Sequence, residues 1–267
     1  MTKPGEQILE PPKRPASQVA FDVLLWGGIA VMLIISFAPV EMAKLPLLFS
    51  KSENMRQFGR DFLHPDFNGL TFYIGKMWET IEIAFWGTAL AVIMAIPMGL
   101  LGARNIAPAF IQLPVRRVLD LFRAVPDLVV ATMFLVAVGP GPLTGVLAIA
   151  LNTGGVLGKL FAEAVESIEP GPIEGVRATG ATRLQEIMWG VFPQVAPLWT
   201  SYGLYRFESS SRSATVLGLI GAGGIGGVLF DQLNSFNYSK VSAIVIVITI
   251  AVAGIDLLSQ TIRSRLI

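Results

Sequence analysis

The segment Glu174-Gly175-Val176-Arg177-Ala178-Thr179-Gly180 is polar and contains two glycines, and it lies between two long apolar runs. Pro193 follows thirteen residues after Gly180. A chain that is hydrophobic elsewhere and keeps a charged segment of this length is expected to present it to a partner. The ordinary alternative is a loop between two helices, in which Gly180 forms the C-cap of the first helix.

Composition indicates a membrane protein. Of the 267 residues, 53% are hydrophobic and 15% are charged, whereas a soluble domain carries about 25% charged residues. The net charge of +1 gives no basic field that would attract nucleic acid. The chain has no cysteine, which excludes disulfides, iron–sulfur clusters and cysteine-based zinc sites.

Six stretches are long and apolar enough, or nearly so, to cross a bilayer as helices of about 20 residues. The runs are continuous, whereas the strands of a membrane barrel alternate between apolar and polar residues. The sequence therefore predicts an all-α membrane protein with six transmembrane helices. The predicted spans are residues 19–38, 80–103, 124–138, 143–161, 194–220 and 241–258.

The distribution of basic residues predicts the topology. With the N-terminus in the cytoplasm, eleven Lys and Arg residues fall on the cytoplasmic side and six on the other, as the positive-inside rule favours. Both termini are then cytoplasmic. The predicted organisation is a cytoplasmic tail, 1–18, followed by a transmembrane domain, 19–267, with an outer loop, 41–76, and a cytoplasmic loop, 164–192.

The cytoplasmic loop is predicted to form a helix, a turn and a second helix lying across the membrane base. Pro170 breaks the chain after the fourth span, and Gly180 permits the turn that ends the first short helix. Thr182 and Gln185 have the spacing of a capping box for the second helix. That helix has a predicted apolar face made of Leu184, Ile187, Met188 and Val191.

The spacing of Glu174, Gly180 and Pro193 resembles the signature of ABC-importer permeases, in which Glu-Ala-Ala is followed at fixed distances by Gly and Pro. Gly175-Val176 stands where that family has two alanines. Other segments resemble the phosphonate-type branch of the family; they are residues 164–172, 204–208 and 212–226. The resemblance covers nearly the whole chain from the first span onward.

The resemblance implies a type I ABC importer permease in the bacterial inner membrane, carrying phosphonate or a related phosphorus oxyanion such as phosphite or a phosphate ester. Its implied partners are a second permease copy, two ATP-binding subunits, an external solute-binding protein and the lipid bilayer. The chain itself is expected to bind no cofactor, because ATP and Mg²⁺ belong to the ATPase. We call residues 164–192 the coupling loop; its candidate docking residues are Glu174, Gly175, Arg177, Ala178, Thr179, Gly180 and Ala181.

Three charged residues, Arg206, Glu208 and Arg212, lie within the predicted fifth span. Glu208 and Arg212 are four residues apart, so they share a helix face and can pair. Ionised groups inside a membrane are costly and usually face protein or a water-filled cavity. If the pair forms, Arg206 is left uncompensated, which favours a role in an anion path. The alternative is a structural network that ties neighbouring helices together.

Two rival functions follow from the residues. Residues 221–226 contain the G-x-G-x-x-G pattern of dinucleotide-binding enzymes, but no Asp or Glu occurs from 232 to 255, where that fold places its acidic residue. A non-helical break or a close-packed helix end fits this run better. Lys159 is followed by leucine and forms no P-loop. The second rival is an ion-gradient-driven transporter or channel for a small anion, which would need no docking loop.

Overall fold

The computed structural model describes residues 16–50 and 52–265, and every regular element in this part of the chain is a helix. The predicted tail, 1–18, lies almost wholly outside the described residues, as do residues 266–267 at the C-terminus. The chain divides into two compact units, Met1–Arg60 and Asp61–Ile267.

The first unit contains a long apolar helix and shorter elements. Helix α1 (Ala16–Phe37) carries the first predicted span, and none of its residues in the apolar window Ser17–Phe37 is buried by protein. An apolar surface of that extent requires a lipid or protein environment. The other elements are a 3₁₀ turn (Met42–Lys44), α2 (Leu47–Ser50) and most of α3 (Ser52–Phe62).

The second unit is a bundle of helices joined by short connections. Its elements are α4 (Leu70–Gly102), α5 (Ala109–Ala124), α6 (Asp127–Val138), α7 (Pro142–Glu166), α8 (Pro170–Ala178), α9 (Arg183–Gln185), a π-helical segment (Glu186–Val191), α10 (Phe192–Gly218), α11 (Ile225–Asn234) and α12 (Tyr238–Arg263).

Four helices in the described residues are long and apolar enough to cross a membrane: α1, α4, α7 and α12. The bent pair α5 and α6 makes a fifth if it is counted as one span. Helix α10 has 27 residues and carries the predicted fifth span. It falls outside the apolar set because Arg206, Glu208, Arg212 and several serines lower its hydropathy.

The third predicted span, 124–138, contains one helix, α6, which begins three residues later than predicted and follows α5 at a sharp bend. Helix α5 ends at Ala124, α6 begins at Asp127, and the two are bent by 90°. Pro126 causes the break, because proline disfavours helical geometry in the residue before it and supplies no N–H. The side chain of Asn152 stabilises the break by donating to the Val125 carbonyl at 3.1 Å.

Helix α4, which carries the second predicted span, begins at Leu70 instead of residue 80. Its first turns therefore fall within the predicted outer loop, 41–76. Gly69 precedes it with a positive φ of 93°. Lys76 and Glu79 pair at 2.6 Å, one turn apart on the helix. This pairing accommodates charged residues in the helix before the apolar run begins.

The core of the second unit is built on close contact between α4 and α7. The helices run in the same direction, because Gly87 lies against Ile149 and Gly99 against Phe161, with the same offset in sequence. A Cβ added at Gly99 would approach Phe161 to 2.6 Å. Small residues at such contacts let helix backbones approach closely, which is how helices associate in membranes.

Candidate functional site

The first short helix of the coupling loop forms where the sequence predicts it. Glu169 is extended and acts as the N-cap of α8, Pro170 occupies the first helical position, and the helix ends at Ala178. Gly180 then adopts a left-handed conformation with φ of 81°. Its N–H donates to the Arg177 carbonyl at 3.0 Å, which closes the last turn.

The predicted capping box also forms: Gln185 Oε1 accepts from the Thr182 N–H at 2.8 Å. The prediction of a separate second helix is wrong, because α9, the π-helical segment and α10 follow one another without a break. Pro193 supplies no N–H and crowds the preceding turn, and the wider π turn beside it relieves that crowding.

The predicted apolar face of this segment is buried only in part. Val191 is 2% exposed and packs in the core, and Ile187 is half-buried. Leu184 and Met188 are 70% and 54% exposed. Trp189, which the sequence interpretation passed over, is 72% exposed. The segment from Leu184 to Trp189 therefore presents apolar side chains outward beside α8.

A bidentate ion pair joins α8 to the π-helical segment. Arg177 Nε and Nη2 donate to Glu186 Oε1 and Oε2, each at 2.9 Å. Bonds of this fork-to-fork type fix orientation as well as distance. The hydrogen bonds from Arg177 hold the pKa of the Glu186 carboxyl below its usual range, and the same contact raises the pKa of Arg177. Arg177 is therefore turned toward its own chain and is not a freely presented charge.

The two faces of α8 line two different depressions. Ile173, Glu174 and Arg177 line a cleft of about 400 Å³ together with Arg183 and Glu186. The opposite face lines a groove of about 660 Å³ that contains no charged residue. The groove residues are Pro172, Gly175, Val176, Thr179, Gly180, Ala181, Gln185 and Trp189. The predicted docking residues are thus divided: Glu174 and Arg177 face the cleft, Gly175, Thr179, Gly180 and Ala181 face the groove, and exposed Ala178 lines neither.

Polar contacts fasten the coupling loop to the bundle. Glu166 accepts from Arg116 at 2.6 Å and from the Arg104 N–H at 2.7 Å. Arg183 donates to the Ile106 carbonyl in the connection between α4 and α5. Gln194 accepts from the Glu169 N–H at 3.2 Å, at the start of α8. These bonds connect the loop to the ends of α4, α7 and α10.

We expect Glu186→Gln to loosen α8 without unfolding the chain, because the neutral amide cannot replace the charge-assisted bonds to Arg177. Ion pairs near the surface contribute little to stability, so the effect should be modest. Because the chain has no cysteine, Val176→Cys, at a half-buried position of α8, can report the local opening. Its maleimide labelling rate should rise about twofold to fivefold in the Glu186→Gln background. Glu163→Gln, at an exposed position of α7, is the matched control. Equal labelling rates in the Glu186→Gln and Glu163→Gln backgrounds would contradict the role of the Arg177–Glu186 pair.

The charges inside α10 form a network with α12. The predicted pair is present, with Arg212 Nη2 at 3.2 Å from Glu208 Oε1. Glu208 also accepts from Arg263 at 3.2 Å, and Arg212 lies 3.3 Å from Asp256. Two arginines and two carboxylates therefore compensate one another. Asp256, on α12, is one of the four.

Arg206 stands outside this network. Its Nη2 donates to the hydroxyl of Thr153 on α7 at 3.3 Å, while its buried Nε has no hydrogen-bond partner within the described chain. The bond to Thr153 is not an ion pair. Arg206 thus lies at the junction of α7 and α10 without an ion-pair partner in the described residues.

The glycine run forms a non-helical turn between α10 and α11, as its pattern predicts. The N–H of Gly224 donates to Glu79 at 3.0 Å, and the N–H of Ile225 donates to Thr80 at 2.8 Å. Gly224 has a φ of 78°, and a Cβ there would lie 2.4 Å from the Thr80 hydroxyl. Side chains of α4 therefore cap the N-terminus of α11.

Comparison with known proteins gives consistent matches. Residues 87–266 match the family described as binding-protein-dependent transport system inner membrane component. The phosphite transport system permease protein PtxC of Stutzerimonas stutzeri is 40% identical over 202 residues, which cover 75% of this chain and 74% of that protein. The putative cryptic phosphonate transport system permease protein PhnE2 of Escherichia coli (strain K12) is 54% identical over 121 residues, covering 45% of this chain and 99% of that one.

The fold is also similar to that of solved structures. A chain of the MetNI methionine ABC transporter, in an inward facing conformation, superposes with a TM-score of 0.67 at 18% identity. The match covers 75% of this chain and 99% of that chain. At this identity the likeness concerns the fold alone.

Proposed function

The chain belongs to the family of binding-protein-dependent transport system inner membrane components, and from this premise we propose that it is the permease subunit of an ATP-driven importer for a phosphorus oxyanion. The observation that carries the proposal is the geometry of the coupling loop. Its α8 groove contains no charged residue and lies beside the bidentate Arg177–Glu186 ion pair, which holds α8 to the π-helical segment of the same chain. Relatives named for phosphite and phosphonate transport support the substrate class.

The proposed topology has six crossings in the bacterial inner membrane and both termini in the cytoplasm. Helix α10 is the fifth crossing, and the bent pair α5 and α6 is the third. Four other helices are long and apolar enough for the remaining crossings. Because α8 follows the fourth crossing, the coupling loop lies on the cytoplasmic side, where basic residues are concentrated.

The proposed assembly contains two permease copies, two ATP-binding subunits and an external solute-binding protein. ATP and Mg²⁺ are held by the ATP-binding subunits, and this chain supplies no catalytic group. Closure of the ATP-binding subunits moves α8, and the Arg177–Glu186 pair carries that movement to the π-helical segment and α10. Because α10 bears Arg206, movement at the loop changes the surroundings of that charge.

The anion path is proposed to include Arg206, with Glu208 and Arg212 beside it. Glu208 and Arg212 are engaged in ion pairs with α12, so Arg206 is the cation of α10 that remains without an ion pair in the described residues. A fixed cation lowers the cost of bringing an anion into a medium of low dielectric constant.

We expect Arg206→Gln to reduce uptake of phosphite or methylphosphonate about tenfold or more, because hydrogen bonds to charged groups contribute about 1.5–3 kcal/mol. Uptake is measured in proteoliposomes that contain the complete transporter. Arg206→Lys keeps the charge and should restore part of the rate. Arg117→Gln, at an exposed position of α5, is the matched control. Unchanged uptake in a normally assembled Arg206→Gln transporter would remove Arg206 from the path.

The test of the function itself is whether an ATP-binding subunit co-purifies with the chain and whether uptake requires ATP. A transporter or channel driven by an ion gradient would take up its anion without that subunit. Uptake that follows a proton or sodium gradient and ignores ATP would overturn the proposal.

A further inference from the structure

A cleft of about 370 Å³ lies where α10 passes the bend between α5 and α6. Its volume is within the range of sites for small molecules. One wall comes from the start of α6 and the other from the C-terminal half of α10. The polar lining residues are Asp127, Ser209, Arg212 and Ser213.

Two hydroxyl groups in this cleft have no internal partner. Ser209 and Ser213 are four residues apart and share a face of α10. Neighbouring Ser211 and Thr215 donate to carbonyls of their own helix at 2.7 and 3.2 Å. Within residues 16–50 and 52–265, the hydroxyls of Ser209 and Ser213 make no such bond. They are therefore free to donate to a molecule in the cleft.

Arg212 retains donor capacity toward the cleft. Its bonds to Glu208 and Asp256 measure 3.2 and 3.3 Å, longer than the 2.7–2.9 Å typical of charge-assisted bonds. A guanidinium carries five N–H donors, so two long bonds leave several unused. The side chain is 48% exposed. Arg212 can thus contact an anion without leaving the network.

Asp127 gives the cleft an acceptor opposite these donors. It is half-buried at the first position of α6, and no ion pair to it is found in the described part of the chain. Its charge acts on Arg206. An ionised carboxylate only accepts hydrogen bonds. It therefore repels a fully ionised oxyanion and favours one that retains a proton on oxygen.

We propose that this cleft binds a monoprotonated phosphorus oxyanion, which accepts from Arg212, Ser209 and Ser213 and donates its P–O–H hydrogen to Asp127. The inference rests on the proposed function and adds a basis for selectivity. Phosphate-type groups have a second pKa of about 6, so about half of them keep a proton at that pH. Sulfate keeps none and leaves Asp127 facing a bare oxygen. The cleft therefore discriminates between anions of similar shape.

The test uses the absence of cysteine from the chain. Val216→Cys places one thiol in the cleft wall, at a position that is 46% exposed. Thr200→Cys places one on α10 outside the cleft and is the matched control. The assembled transporter is labelled with a maleimide, without solute-binding protein, in methylphosphonate, sulfate or chloride at equal ionic strength and about pH 6. Labelling of the permease subunit is followed on a gel.

Methylphosphonate is expected to slow labelling of Val216→Cys about threefold or more at a saturating concentration, and to leave Thr200→Cys unchanged. The added change Ser209→Ala with Ser213→Ala should raise the concentration needed for protection about tenfold, since two hydrogen bonds are lost. Asp127→Asn should make sulfate as protective as methylphosphonate. Asparagine has nearly the same shape as aspartate, and Asp127 has no ion pair in the described residues that the change would break, so the fold is preserved.

The outcomes separate this inference from the proposed function. Protection that is equal at both cysteines, or that is unchanged by the two serine substitutions, overturns the cleft site while ATP-dependent uptake stands. Sulfate that remains unprotective in the Asp127→Asn variant overturns the role given to Asp127. Wild-type transporter that imports no phosphorus oxyanion overturns the proposed function and the substrate of the cleft with it.

Discussion

Replacement of Gly226 by alanine is expected to prevent accumulation of the folded chain. A Cβ at this position would lie 2.0 Å from the Thr215 carbonyl oxygen and 2.9 Å from the Gly218 Cα. Both neighbours are backbone atoms of α10, so no rotamer change relieves the clash and α11 must move away. Overpacking of this kind costs about 1–3 kcal/mol and sometimes more. We expect a destabilisation at the upper end of this range. It is measured as a loss of monodisperse protein and a lower Tm in detergent.

The adjacent glycine supplies the control. A Cβ at Gly227 would meet only the Gly218 carbonyl oxygen, at 3.5 Å, which is an ordinary contact. Gly227→Ala should therefore fold like the wild type and gain slightly from the better helix propensity of alanine. A Gly226→Ala chain as stable as Gly227→Ala would show that α10 and α11 do not pack this closely.

Hydrophobic run length was enough to predict the five longest helices, because lipid leaves the backbone no alternative to internal hydrogen bonds. It could not predict the 90° bend at Pro126. The proline was visible, but whether a helix kinks or divides depends on partners such as Asn152, which lies on another helix. The contacts of Glu79 and Thr80 with the glycine turn were hidden for the same reason, since they join residues 145 positions apart.

The docking residues were predicted as one set, and the structure divides them between two faces of α8. Helical periodicity already contained this division, because Gly175, Val176 and Thr179 share one face and Glu174 lies on the other. Glu186 was missed altogether. Its partner Arg177 is nine residues away, across the Gly180 turn, and no local pattern relates two residues whose distance depends on that turn.

Gly180→Val is expected to reduce binding of the ATP-binding subunit about tenfold or more while leaving the permease folded. Gly180 has a φ of 81°, and a Cβ there would meet no atom within 4 Å. The cost therefore comes from backbone conformation alone, at about 1–2 kcal/mol for an L-residue and more for a β-branched one. The loop relieves it by leaving the left-handed geometry, which displaces the groove residues that follow. Co-purification of the ATP-binding subunit and ATP-dependent uptake measure the loss.

Gly175→Ala distinguishes this conformational effect from loss of space in the groove. Gly175 lies inside α8, where a Cβ again meets nothing within 4 Å, so alanine stabilises the helix. The related permease signature has alanine at this position, and we expect docking to persist. If Gly175→Ala abolishes co-purification and Gly180→Val does not, the ATP-binding subunit needs the open space at Gly175. The turn at Gly180 is then dispensable. If both variants dock normally, the groove is not the docking face, and the charged cleft on the other side of α8 takes its place.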